Sequence, residues 1–374
     1  MSILIAGAGI GGLALAQALH QGGLDVAVFE RDPTPQTRNQ GYRLHIDANG
    51  NAALRACLPA RVLAEVRRTS GVNGDLVAGY NQRLERLTAQ TFPGISDTEV
   101  THVDRNAIRQ ALLTGLDGRV HFGRTVTGYR LTGTGRVRVR FAEGGTAEGD
   151  ILIGADGVNS AVRRQLLPRA TLRDAGFRCL YGRMTIDAAT AGLVPADFNR
   201  GFCWVGADAG HGAGFAPVRF RERPDGARDY LMIAFVATPE QLGVPDERLF
   251  TLPPDALWRM AADLSADWHP ALRALVAHAD AASFFPITIR ASERVEPWQP
   301  GPVTLLGDAI HTMPPAGGVG ANTALQDAAT LSSQLLCAAS GFGEAIQAYE
   351  EVMLPRGFDT IDRSLAMLTH MLAA

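Results

Sequence analysis

An apolar run, Ser2–Ala6, passes directly into Gly7-Ala8-Gly9-Ile10-Gly11-Gly12 and then into the stripe Leu13, Leu15, Ala16 and Leu19. A strand that turns on glycines into a helix constrains the fold more than any other feature here, because it is the opening of a parallel βαβ unit. Gly7 permits the tight turn, Gly9 lets backbone approach a pyrophosphate, and Gly12 lets helix and strand pack closely. The helix N-terminus then faces the phosphates. A second apolar run, 25–29, ends in Glu30, where a carboxylate accepts hydrogen bonds from both hydroxyls of an adenosine ribose. Glu30 repels a 2′-phosphate, so this site is expected to hold FAD or NAD and not NADP. Arg31, the next residue, is grouped with the cofactor contacts.

The stretch 302–336, PVTLLGDAIHTMPPAGGVGANTALQDAATLSSQLL, has the same logic. Its run 303–306 suits a strand buried on both faces, and Gly307-Asp308 places a lone carboxylate at the carboxyl end, where ligands sit in open α/β sheets. Gly317, Gly318 and Gly320 then strip side chains from a loop, and Asn322 precedes an amphipathic helix carrying Leu325, Ala328, Leu331 and Leu335. Bare backbone N–H groups and a helix N-terminus therefore point at something polar or anionic. Gly154-Ala155-Asp156-Gly157 repeats the acid beside glycine at a strand end. Two such acids suggest one extended ligand, although each also suits an N-cap.

Between these motifs, residues 49–67 read as one helix, and Arg43 before it suits a cofactor contact and a surface ion pair equally. Asp104 suits the N-cap of a helix over 106–116, with Arg105 either surface charge or cofactor contact. Runs at 120–131, 136–141 and 150–154 read as a three-stranded antiparallel meander. From 173 to 286, aromatic-rich strands at 178–186, 201–206, 214–220 and 229–238 imply an antiparallel sheet. Candidate walls of a substrate cavity are Arg183, Trp204, Phe215, Phe235, Met313 and Pro314, each equally suited to plain core. Residues 343–353 and 358–371 read as two helices broken at Pro355. The fold class is α/β: a Rossmann-like cofactor domain (1–69, 95–172 and 287–342), interrupted by an antiparallel-sheet substrate domain (70–94 and 173–286) and followed by C-terminal helices (343–374).

Composition narrows the function. With 374 residues, 46% of them hydrophobic, the chain can bury a large core in two domains, or in one with a sizeable insertion. A net charge of −3 argues against a nucleic-acid partner, and the alternating Arg136, Arg138 and Arg140 read as the wet face of a strand. Cys57, Cys179, Cys203 and Cys337 are far apart, so no disulfide framework or metal site is expected, and a cytoplasmic location fits. The apolar start has no basic residue before it, so no export signal and no membrane span are expected. The sequence contains no lysine, which excludes any mechanism that needs one.

In this order, GAGIGG with Glu30, then GADGVNSAVR, then LLGDAIHTMPPAGGVGAN resemble the class A flavoprotein aromatic hydroxylases, whose type member is para-hydroxybenzoate hydroxylase. The resemblance spans nearly the whole chain. Size and loop resemble the small tetracycline-inactivating monooxygenases and the hydroxylases of polyketide and antibiotic pathways, without an extra C-terminal thioredoxin-like domain. It implies that Gly7, Gly9, Gly12 and Glu30 hold the FAD adenylate, that Arg105 lies along the cofactor, and that Asp156 supports the pyrophosphate and nicotinamide region. Gly307 and Asp308 would bind the ribityl chain and pyrophosphate linkage. The loop with Pro315, Gly318, Gly320, Ala321 and Asn322 would lie at the pyrimidine edge of the isoalloxazine, with Arg43 near its face. Arg43, Pro315 and Gly318 are the candidates for positioning the flavin. Val319 departs from the Gln often found there in the hydroxylases, a shift toward the tetracycline-inactivating branch. No second complete GxGxxG unit exists, so NADH or NADPH is expected as a transient reductant.

The reaction this resemblance implies is hydroxylation of an aromatic or polyketide-like small molecule by O2 through a flavin hydroperoxide, which needs few acid–base side chains. A halogenase on this fold needs a lysine that the chain lacks. The alternatives are a non-oxygenating FAD reductase or dehydrogenase, and a flavin-binding protein without turnover.

Overall fold

A parallel sheet in the spatial order Val303–Leu305, Ile151–Gly154, Ser2–Ala6, Asp25–Glu30, Val120–Phe122 organises the computed structural model, which describes residues 1–37, 42–96, 99, 101–338 and 341–373. Ser2–Ala6 takes the centre because it is apolar toward both faces, and Ile3, Leu4, Ile5 and Ala6 are all buried. Its register pairs Ala6 with Gly154, which pairs with Leu305. Parallel neighbours end together, so the turns after these three strands converge on one edge of the sheet. The helices Ile10–Gln21 and Gly320–Leu336 that follow two of those turns pack against each other.

The middle of the chain differs from the sequence reading. Val120–Phe122 is the outer strand of the parallel sheet, and the meander consists of Val126–Leu131, Val137–Phe141 and Thr146–Gly149. Ile151–Gly154 leaves it to join the parallel sheet, since four consecutive apolar or glycine residues need cover on both faces. The helix expected over 49–67 is two, Ala48–Cys57 and Ala60–Arg68. Pro59 divides them by holding Leu58 extended, at φ −104° and ψ 138°.

A seven-stranded sheet runs Phe285–Ser292, Leu172–Thr185, Tyr230–Ala237, Gly212–Val218, Gly201–Gly206, Leu76–Asn81, Arg86–Thr91. It is antiparallel except where Gly201–Gly206 meets Leu76–Asn81. One face buries Leu180, Met184, Phe215 and Phe235 against Leu257 and Leu272 of the neighbouring helices and Trp268 between them. The other, Tyr181, Ala216, Tyr230, Met232 and Ala234, turns toward Tyr42, Ala316 and Leu368. Ala316 of the glycine loop thus packs against that second face.

Pro355 does not break the C-terminal segment: one helix, Phe342–Ala373, passes through it. A mid-helix proline costs about 3 kcal/mol. Burial of Ile346, Tyr349 and Met353 before it and Phe358, Ile361 and Leu368 after it outweighs that. Among the described residues no helix is long and apolar enough to cross a membrane.

This helix also buries Glu350 beside Trp298 and Thr304, which act on its carboxyl. Burial pushes the Glu350 carboxyl up to about 7. A raised acid contributes stability below its unfolded value near 4.5, and this is lost as pH rises through 7. Glu350→Gln is therefore expected to leave thermal stability unchanged near pH 4 and to raise it at pH 8, by on the order of 1 to 2 kcal/mol. Melting curves at the two pH values check this, and an equal effect at both contradicts it.

Candidate functional site

Gly7 has φ +103°, and a methyl group there would lie 2.3 Å from the Ala155 carbonyl oxygen. One at Gly12 would lie 2.3 Å from the Gly7 carbonyl oxygen. Both glycines thus serve close approach of backbone within the protein. Gly9 is different, for a methyl there meets nothing within 4 Å, so its backbone faces open space. Glu30, at the end of the second strand, accepts from the Ala8 N–H at 2.8 Å and the Asp32 N–H at 3.0 Å, which fixes its carboxylate against the glycine turn. Arg31 is exposed beside it.

Arg109 was not anticipated. Its Nε donates to the Ala8 carbonyl at 3.0 Å, and its guanidinium lies 3.2 Å from Asp32 and 3.7 Å from Glu30. It follows Arg105 by one helical turn, so the two arginines share a face of the helix Arg105–Leu113.

At the neighbouring strand end, Asp308 has an exposed side chain although protein surrounds it closely enough for desolvation to raise its pKa, against the pull of His311 and Arg105. A carboxylate both accessible and deep in the molecule lines a cleft. Gly307, at φ +63°, donates its N–H to Asp327 at 3.0 Å. Asp327 also meets His311 Nε2 at 2.5 Å and Arg356 at 2.9 Å, so a buried network underlies the turn. Asp156 is not free in the same way, because its carboxylate accepts from the Ser160 hydroxyl at 2.5 Å and the Ala161 N–H at 2.7 Å. It braces the start of the helix Ala161–Leu166, and what reaches the glycine turn is the Ala155-Asp156 backbone. The expectation that Asp156 supports the pyrophosphate and nicotinamide region therefore concerns a carboxylate already engaged within the protein.

The loop after Pro314 is held by Asn322, whose amide donates to the His45 and Gly318 carbonyls at 2.9 and 3.1 Å and accepts from the Asp47 N–H at 3.0 Å. Asn322 therefore positions the loop with its side chain fully used. Gly318 is left-handed at φ +62°, Pro315 is exposed, Pro314 buried and Met313 half-buried. The helix Gly320–Leu336 starts with no side-chain cap and no acid in its first turn, leaving the N–H groups of Gly320 and Ala321 without a competing carboxylate.

Across from the loop, Arg43 is half-buried, its Nε has no partner among the described residues, and burial lowers its pKa to about 10 against the pull of Tyr230. Gln40 and Gly41, just before it, lie outside the described residues. Burial also lowers His45, to about 4, and His102, each further depressed by Arg43, so both rings are neutral at neutral pH. Arg105 stacks on the Tyr42 ring at 5.4 Å. Arg183 and Trp204 lie on the face of the seven-stranded sheet that fronts this space, and Trp204 Nε1 donates to the Met371 carbonyl at 2.9 Å. Phe215 and Phe235 do not join them. They point to the opposite face, against Trp268 and its helices, and are core.

Asp104 does more than cap its helix. One oxygen takes the Asn106 and Ala107 N–H groups at 2.9 and 3.0 Å, and the other takes the buried Tyr230 hydroxyl at 2.9 Å. Asp104→Ala is expected to cost about 2 to 4 kcal/mol of stability, a lost cap plus a buried hydroxyl without a partner. Asp308→Ala is expected to leave stability nearly unchanged and to lose flavin. Thermal melts beside flavin content separate the two, and equal flavin retention contradicts the assignment.

A family profile described as FAD binding domain matches residues 1–364. The chain belongs to this family. The dual O-methyltransferase/FAD-dependent monooxygenase elcB of Phaeosphaeria nodorum is 32% identical over 391 residues, covering 93% of this chain and 42% of that protein. The chain thus spans less than half of that relative's length. A Photorhabdus luminescens crystal structure assigned as an FAD-containing monooxygenase superposes with a TM-score of 0.87 at 30% identity, covering 100% of this chain and 99% of that one. HpxO of Klebsiella pneumoniae, crystallised with FAD and uric acid, gives 0.82 at 27% identity, covering 99% and 88%. The tetracycline destructase Tet(51) shares the fold, at a TM-score of 0.69 and 19% identity, covering 100% and 91%.

FAD is the cofactor of this family, and the residues present fit it. Gly9 offers open backbone beside a helix N-terminus, Glu30 stands at the adjacent strand end, and Asp308 lines a cleft on the same sheet edge.

Proposed function

We propose that the protein is an FAD-dependent monooxygenase that consumes NADH or NADPH and hydroxylates an aromatic or polyketide-like small molecule. FAD held at this site would, once reduced, activate O2 as the source of the electrophilic oxygen. The observation that carries this reading is the uncapped N-terminus of the 17-residue helix Gly320–Leu336, set behind a glycine loop whose Ala316 packs against the sheet face of Tyr181, Ala216, Met232 and Ala234. A helix N-terminus favours negative charge by about 0.3 to 1 kcal/mol when exposed and by more when buried, which is what a reduced flavin ring needs at its pyrimidine edge. Gly9, Gly12, Glu30 and the Gly307-Asp308 turn are assigned to the adenosine and pyrophosphate half, Arg105 to the length of the cofactor, and Gly318, Gly320 and Ala321 to the ring.

The segments 1–69, 95–172 and 287–342 are taken as the cofactor unit and 70–94 with 173–286 as the substrate unit. In support, strands from both latter segments share the seven-stranded sheet. The wall Tyr181, Met232, Ala234 and Ala216 carries little acid–base chemistry and keeps water from the reacting carbon. The absence of lysine weighs against hypohalous chemistry. Unpaired cysteines fit a reducing cytoplasm. The test is oxygen uptake measured beside NADH or NADPH oxidation with phenolic probes. Equal uptake and oxidation, stimulated by the probe, is expected. Oxidation that proceeds equally without oxygen would place the protein among reductases.

A further inference from the structure

Tyr42 stands just before the short strand Arg43–Ile46, on the cofactor side of the molecule, yet its ring rests on the seven-stranded sheet. It stacks on Tyr181 with ring centres 5.0 Å apart and planes 24° from parallel, and it leans on Phe285 at 6.2 Å. Tyr181 and Phe285 are cross-strand partners whose own rings stack at 5.6 Å. The three rings make one aromatic block at that end of the face. Two contacts with Arg105 hold Tyr42 in place, the Arg105 N–H donating to the Tyr42 carbonyl at 3.0 Å and the guanidinium lying 5.4 Å from the ring centre. Among the described residues the Tyr42 hydroxyl makes no hydrogen bond, so the ring itself is what the sheet receives.

The other end of the face is closed as well. A methyl group at Gly214 would come within 3.0 Å of the Phe202 ring, and one at Gly212 within 2.4 Å of Trp204, so these two aromatics lie directly over bare backbone. Between the two covers, Ala216 is sealed, but Tyr181, Met232 and Ala234 keep 7 to 8% of their surface. That residual exposure marks a narrow slot, and Tyr42 bounds it on the side where the wall is most aromatic. Paired rings such as Tyr181 and Phe285 offer the flat apolar area on which a fused-ring ligand would stack. Tyr42 already uses that area. Its own ring is engaged by a tyrosine, a phenylalanine and a cation, so its effect on a ligand is steric.

We propose that Tyr42 is a specificity-determining residue: it fills the aromatic end of the slot, restricts ligands to a small ring area, and on removal opens Tyr181 and Phe285 to fused rings. The assignment rests on the proposed function only for which face takes substrate. Its test reads binding and not turnover, so it can fail while the oxygenase reading stands, or the reverse.

The FAD-loaded protein is titrated with phenol and with 2-naphthol, both uncharged at neutral pH, following the flavin absorbance, and the ratio of the two dissociation constants is compared between variants. Tyr42→Ala is expected to shift that ratio toward 2-naphthol by about tenfold. Tyr42→Phe is expected to keep the wild-type ratio, and Tyr42→Trp to shift it toward phenol. A tyrosine with only a structural role would change flavin content or melting temperature and leave the ratio alone. An unmoved ratio in Tyr42→Ala, or weaker binding of both probes there with flavin retained, overturns the proposal. No spectral response to either probe at millimolar concentration in any of the proteins also overturns it. Should Tyr42→Ala fail to fold or to hold flavin, Tyr42→Phe and Tyr42→Trp decide, and equal ratios in those two overturn it.

Discussion

Gly7→Ala is expected to abolish FAD binding and to destabilise the fold by about 3 to 5 kcal/mol, because it combines backbone strain with a clash that cannot relax. At φ +103° an alanine is strained, and its methyl would sit 2.3 Å from the Ala155 carbonyl oxygen. That carbonyl cannot withdraw, since the Ala155 N–H donates to the Ala6 carbonyl at 2.8 Å and the preceding Gly154 is paired within the parallel sheet. The informative partner is Gly9→Ala. Gly9 has φ −75° and ψ 178°, which alanine adopts freely, and nothing in the protein meets its methyl within 4 Å. That variant is expected to fold normally and still to lose flavin, because the methyl takes the space through which backbone approaches the phosphates. Flavin absorbance after purification and a thermal melt distinguish the two cases. A Gly9→Ala protein that remains fully yellow contradicts the placement of the pyrophosphate.

The second large effect concerns Asp327. It is completely buried and shared by His311, Arg356 and the Gly307 N–H, so Asp327→Asn is expected to cost about 3 to 5 kcal/mol by leaving its cations without a counter-charge. Flavin affinity should fall with it, because the same carboxylate holds the left-handed Gly307 beside Asp308. The pH dependence has two sides. Burial alone would raise the Asp327 carboxyl, but His311 and Arg356 outweigh it and hold it below its ordinary 3.8. Burial alone would lower the His311 ring, but Asp327 outweighs it and holds it above 6.5. The carboxylate's contribution is therefore present above pH 3.8 and lost as pH falls through its depressed value. The imidazole's is present below pH 6.5 and lost as pH rises through its raised value. The deficit of Asp327→Asn against wild type is expected to be greatest between these limits and to shrink in alkali. Chemical denaturation across pH measures it, and a deficit that grows with alkali contradicts the ion pair.

Features that are local in sequence were legible in it. The glycine turn, Glu30 and the Gly307-Asp308 pair each lie within a few residues of a strand end, as the apolar runs before them indicated. Long-range chemistry was not. Arg109 reaches Ala8 across 101 residues, and nothing in its own helix announces that. Asp327, His311 and Arg356 come from three separate segments that meet only after the helices pack. The alternation in 212–218 and 230–237 gives two faces, yet both are apolar, so the side taken by Phe215 and Phe235 was not readable until helices covered one of them. Asp156 had two suitable roles, and the N–H groups of the helix start took its carboxylate. Pro355 marked a break by local rules, and burial on both sides of it overrode them.

The central claim is that reduced flavin in this site delivers one oxygen atom to an aromatic substrate. A single turnover in O2 carrying heavy oxygen, with NADH or NADPH and an aromatic ligand chosen by its effect on the flavin spectrum, tests it most directly. Mass spectrometry of the product is expected to show one heavy atom, with the other recovered in water. A product labelled from solvent water, or formed at the same rate without oxygen, would contradict it.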